Sequence, residues 1–178
     1  MDFKDQPFIP MLFGGDINTY SVARAFYEEY QVKTYVFGKF PSGPSYNSNI
    51  IEYHADLKID TDDVFMKTVR DFAAAHADKT VLTIGCGDSY VALCSRHKDE
   101  MPENVVAPYI DFELMDKLQQ KELFYRLCRE HDIDFPDTLV FRYGMDLDFE
   151  LPFSFPVILK PSNSVMYWEH EFPTQEKV

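Results

Sequence analysis

The chain has 178 residues, of which 46% are hydrophobic and 16% aromatic, enough apolar side chain for one good core or a core plus part of a second. Its net charge is −13, from 17 basic and 30 acidic residues. That balance excludes a broad nucleic-acid-binding face and does not suit an anionic membrane surface, but a few local lysines and backbone N–H groups still suffice for a small anionic ligand.

The first residues, MDFKDQPFIPMLF, carry acidic side chains early and no small-residue cleavage site, so no secretory signal is expected there. Residues 8–13 (FIPMLF) predict a strand that ends in Gly14-Gly15. Asn18 to Tyr30 follow, with Tyr20, Ala23, Phe26, Tyr27 and Tyr30 at helical spacing. Residues 33–38 (KTYVFG) predict a second strand, 41–49 a loop rich in Pro, Gly, Ser and Asn, and NIIEYH a third strand. Asp60-Thr61 reads as a helix cap ahead of the stripe Val64, Phe65, Thr68, Val69 and Phe72. TVLTI (80–84) is a fourth strand, closed by Gly85-Cys86-Gly87-Asp88, with a helix from about Ser89 to Lys98 and a short extended piece in NVVAPYI. Strands alternating with helices in this way predict an α/β fold with a mostly parallel sheet and flanking helices.

Near residue 111 the rhythm changes. One helix is expected from Phe112 to His131, with Met115, Leu118, Leu123, Leu127 and Cys128 turned inward. An acidic turn, Asp132-Ile133-Asp134, and Pro136 end it. Two extended pieces follow, TLVFRY and PVILK, the second with Val157, Ile158 and Leu159 as a buried strand. Two strands after a helix, with no crossover helix between them, predict the opening of a second domain, dividing the chain into 1–111 and 112–178. The closing EKV reads as the start of a further strand. No apolar run approaches the roughly 20 residues that span a bilayer. Three cysteines without CxxC spacing suit a reducing cytosol, and five scattered histidines make no zinc pattern.

Gly14-Gly15-Asp16 and Gly85-Cys86-Gly87-Asp88 both stand where a parallel strand hands over to a helix. That edge binds ligands in open α/β sheets, although such turns need glycine even when empty. Cys86 has no neighbouring base in the sequence and reads as a packed side chain, not a nucleophile. Lys117 and Lys121, in MDKLQQKELF, taken alone read as a solvated helix face. Lys160, taken alone, reads as a strand-end surface lysine. The acidic cluster Asp132, Asp134 and Asp137 lacks metal-loop spacing.

In order, however, the segments are a helix opening on Met-Asp-Lys (MDKLQQKELFYRLCREHDIDFPDT), a Pro-x-Thr lead into a strand, a linker, and FPVILKPSNS. This resembles the ATP-grasp ligases, and within them the carboxylate–amine ligase or D-aspartate ligase-like branch, over about residues 112–164. The resemblance implies that 1–111 is the α/β domain preceding the nucleotide-binding domain and that 112–178 begins that domain. It implies ATP as the cofactor, with the two phosphate-side lysines falling on Lys117 and Lys160. Ser162, Asn163 and Ser164 would open the mobile loop over the phosphates, where relatives carry glycines and this chain runs SNSVMYWEH. A lysine is suited to that task as a compact, mobile charge for phosphate oxygens.

The implied activity is amide formation between a carboxylate and an amine, both small molecules, through an acyl phosphate. Mg2+ bridges phosphate oxygens, its ligands expected beyond this chain. The chain is accordingly expected to be the N-terminal part of a cytoplasmic ligase, inactive alone, with Gly14, Gly15, Asp16, Gly85, Gly87 and Asp88 on the substrate side. Such ligases are often homo-oligomers, and Trp168 and Phe172 are candidates either for disorder or for pairing with another copy. Two alternatives remain open: an NAD-binding Rossmann domain using the Gly14-Gly15 turn, and a non-catalytic module binding a metabolite or a partner protein.

Overall fold

A computed structural model describes residues 2–41, 43–146, 148, 150–163 and 167. Ser164, Trp168, Phe172 and the strand expected at EKV lie outside the described residues. The chain divides into two compact units, Met1–Phe112 and Glu113–Val178.

The first unit is an α/β layer on five parallel strands, β1 (Phe8–Phe13), β2 (Thr34–Gly38), β3 (Ile51–Ala55), β4 (Thr80–Gly85) and β5 (Val105–Val106). Their order across the sheet is β3-β2-β1-β4-β5. β1 is central and buried on both faces, which is why it reads as an unbroken apolar run instead of an alternating one. Pairing of β1 with β2 begins only at Met11, after Pro10, the residue with no N–H to give a ladder.

Successive side chains of β1 part to opposite faces. Ile9, Met11 and Phe13 join Phe65, Met66, Val69 and Phe72 of α3 (Asp62–Ala75) and Leu93 and Cys94 of α4 (Asp88–Arg96) in one core. Leu12 points the other way, packing with Val36, Ile50, Ile51 and Ala23, and with Tyr20, Phe26 and Tyr27 of α1 (Ile17–Tyr30). Helices therefore cover both faces, the arrangement a parallel sheet requires.

Some local expectations need correction. The polar loop at 41–49 contains a short helix, α2 (Gly43–Tyr46), held by Ser45, whose buried hydroxyl donates to the Asp16 carbonyl at 3.1 Å. Thr61 is the N-cap of α3, but its hydroxyl donates to the Lys58 carbonyl instead of accepting from the helix. Asp62 and Asp63 in the first turn complement the helix dipole. A 3₁₀ turn, Lys98–Glu100, follows α4.

In the second unit the single helix expected from Phe112 to His131 is two, α5 (Phe112–Gln119) and α6 (Lys121–Glu130). Gln120 adopts an extended conformation (φ −85°, ψ 110°) and forms an isolated antiparallel bridge with Asn163, while its carbonyl accepts from the Phe124 N–H as the N-cap of α6. Met115 and Cys128 are buried. The buried strand expected at 156–160 is not formed. These residues pair with no strand among the described residues, and Ile158 and Leu159 are 81% and 93% exposed. An apolar run becomes a strand only when neighbouring strands take its N–H and C=O groups, and among the described residues no such ladder reaches TLVFRY either. Among the described residues no helix is long and apolar enough to cross a membrane.

Candidate functional site

In the first unit, strand order reverses between β1 and β4: the chain runs outward one way to β2 and β3, then returns to β4 on the other side of β1. Ligand crevices of open α/β sheets form at such a point, beyond the carboxyl ends of the strands. Gly14-Gly15-Asp16 after β1 and Gly85-Cys86-Gly87-Asp88 after β4 stand on its two sides, joined by the Cys86 N–H donating to the Phe13 carbonyl at 2.8 Å.

The turns are tight. Gly14 has φ 145°, and a Cβ there would lie 2.3 Å from Thr19 Oγ1. At Gly85 a Cβ would come within 2.7 Å of the Tyr90 and Val91 backbone, so glycine lets α4 approach its strand. Asp16 caps α1, accepting from the Asn18 and Thr19 N–H groups at 3.1 Å each and from the Thr19 hydroxyl at 3.2 Å. Its carboxylate thus occupies the donors that a dinucleotide pyrophosphate would need at α1, which argues against the NAD alternative. α4 starts differently. Its N-cap is Gly87, which has no side chain to lend.

The rim is neutral. Tyr53 donates to the Phe40 carbonyl at 2.7 Å, and burial holds its phenol above the ordinary range. Burial likewise raises Tyr90 and Tyr109. Burial pushes the Cys86 thiol up to about 11, against a smaller opposing hydrogen bond from Thr19. With the thiol protonated, Cys86 is a packed side chain and not a nucleophile. Tyr53, Ser45 and Tyr109 were not legible as parts of this edge, since their positions depend on strand order.

In the second unit a cavity of about 510 Å³ is lined by Lys121, Tyr125, Phe141, Phe153, Lys160 and Ser162, among others. The break at Gln120 sets Lys121 at the start of α6, and the Lys121 N–H donates to the Ser162 carbonyl at 3.0 Å. Asn163 closes the bridge to Gln120, and its carbonyl accepts from the Tyr167 N–H at 3.1 Å. Glu122 pairs with Arg142, and Tyr125 stacks on Phe135 with ring centroids 5.4 Å apart. Of the expected nucleotide-side residues, Lys160 and Ser162 line this cavity. Lys117 lies exposed on α5 and does not line it. Lys121, read from sequence as a solvated helix residue, takes a place there. Ser164 is outside the described residues.

The chain is 39% identical over 98% of its length to D-aspartate ligase of Enterococcus faecium (strain Aus0004), and it spans 43% of the length of that protein. The resemblance carried by residues 112–164 thus extends to a sequence relationship over nearly the whole chain. No protein-family model matches the chain, and no solved structure matches it.

Proposed function

Taking D-aspartate ligase as the relative, we propose that this chain is the N-terminal part of an ATP-dependent, cytoplasmic carboxylate–amine ligase whose carboxylate substrate is D-aspartate or an amino acid of the same doubly carboxylated class. The observation that carries this reading is the 39% identity over 98% of the chain. Residues 1–111 are then the α/β domain that precedes the nucleotide-binding domain, and 112–178 are the beginning of that domain. Alone they have no ligase activity in this reading.

The second-unit cavity supports it. Two cationic side chains, Lys121 and Lys160, share walls with Tyr125, Phe141 and Phe153, a mixture that suits a polyanion bearing an aromatic base. Lys160 and Lys121 neutralise phosphate oxygens, Lys117 joins them as the resemblance implies, and Ser162, Asn163 and Ser164 begin the loop that lies over the phosphates. ATP supplies the phosphoryl group that converts the carboxylate to an acyl phosphate, from which the amine displaces phosphate. Bridging magnesium is assigned to no residue here; among the described residues no three His, Cys, Asp or Glu side chains gather as metal ligands. The Gly14-Gly15-Asp16 and Gly85–Asp88 turns bind and orient a substrate at the sheet edge.

The test is phosphate release from Mg-ATP by the full-length protein that contains these residues, with and without D-aspartate and an amine acceptor. Release that requires D-aspartate and falls on Lys160→Ala supports the reading. Release indifferent to D-aspartate contradicts it.

A further inference from the structure

β5 has two residues, pairing with Val81 and Leu82 of β4, so the ladder stops short of the carboxyl end of β4. The N–H of Gly85 is therefore left without a strand partner on that side. It donates instead to the Tyr109 hydroxyl at 2.7 Å. Tyr109 packs against the α3/α4 core, with the Cys94 thiol beside its hydroxyl. The next three residues are each fastened to α4 or the turn that follows it. Ser95 Oγ donates to the Ile110 carbonyl at 2.6 Å, Lys98 Nζ pairs with Asp111 at 2.6 Å, and the Arg96 guanidinium lies 4.6 Å from the Phe112 ring centroid. Four consecutive residues are held in this way, the first of them by the glycine turn itself.

We propose that residues 109–112 are a strap coupled to the Gly85–Gly87 turn, with Tyr109 as the positioning residue that holds the turn in shape by completing the β4 ladder where β5 ends. Strain or slack anywhere in the strap is then felt at Gly85, and an occupant of the turn stiffens the strap. The substrate role of the turn rests on the function proposed above; the strap itself does not.

Amide hydrogen exchange, read residue by residue by NMR on the full 178-residue chain, tests this with two variants. Tyr109→Phe keeps the ring and removes the acceptor, and Gly85 exchange is expected to rise about tenfold. Ser95→Ala removes the hydrogen bond to the Ile110 carbonyl, yet Gly85 exchange is expected to rise severalfold. A purely local hydrogen bond would not transmit that second effect, so an unchanged Gly85 in Ser95→Ala overturns the coupling. An unchanged Gly85 in Tyr109→Phe overturns the positioning role. Added D-aspartate is expected to slow exchange at Gly85 and at residues 110–112 of the unsubstituted chain. If both variants act and D-aspartate does not, the strap stands and the assignment of D-aspartate to this edge fails.

Discussion

The backbone N–H of Lys121 donates to the carbonyl of Ser162 at 3.0 Å, so the first residue of α6 and the loop after Lys160 are joined before any ligand is considered. The same junction forms the Gln120–Asn163 bridge and leaves Lys121 and Lys160 lining one cavity. A charge-assisted contact to phosphate is worth about 1.5–3 kcal/mol, or roughly ten- to a hundredfold in affinity. Lys121→Ala in the full-length protein is therefore expected to weaken Mg-ATP binding by at least about tenfold, measured by calorimetry. Binding unchanged by this substitution removes Lys121 from the nucleotide side.

Gly14→Ala is expected to destabilise the first unit. Its φ of 145° is one that alanine rarely adopts, and the added Cβ would meet Thr19 Oγ1 at 2.3 Å. The cost is about 1–3 kcal/mol, read as a lower urea midpoint. An unshifted midpoint would mean the turn has another conformation.

Phe65 is fully buried, with its ring centroid 4.6 Å from that of Phe13. Phe65→Ala removes the contact between α3 and the carboxyl end of the central strand, at a cost of about 3–5 kcal/mol. Loss of most of the cooperative thermal transition is the expected result. A shift of only a degree or two would contradict this packing.

Within the first unit most of the fold was legible, because β1 to β4 announce themselves by apolar runs closed by glycine or polar turns, α1 by a helical stripe and α3 by a stripe with a cap; the Asp16 cap of α1 was not read. What was hidden depends on partners distant in sequence. The stretch QQKEL consists of good helix formers, and the break at Gln120 coincides with a bridge to Asn163, more than forty positions away. That break sets Lys121 at the head of α6, where it lines the cavity with Lys160. The exposure of Val157, Ile158 and Leu159 was equally invisible, since an apolar run says nothing about whether a sheet is present to receive it. Tyr109 gains its role only because β5 stops after Val106.

Thiol chemistry separates a packed Cys86 from a reactive one. Its pKa is pushed up to about 11 from an ordinary 9.0 by burial, so at pH 8 the thiolate fraction is roughly a hundredfold below that of a free thiol. Alkylation of the Cys86 peptide by iodoacetamide, followed by mass spectrometry, is expected to be slow in the native chain and fast in urea. The sign of the linked stability follows from the same shift. The unfolded thiol ionises above about 9 while the folded one keeps its proton, so this contribution is full below 9 and is lost as pH rises towards about 11. Rapid native labelling at pH 8 would contradict the burial of this thiol.

The most direct measurement is hydroxamate formation by the full-length protein supplied with Mg-ATP, D-aspartate and hydroxylamine, which intercepts an acyl phosphate without needing the natural amine. The account predicts D-aspartyl hydroxamate that requires ATP and falls about a hundredfold in Lys160→Ala. A folded, full-length protein that yields none under these conditions would contradict it.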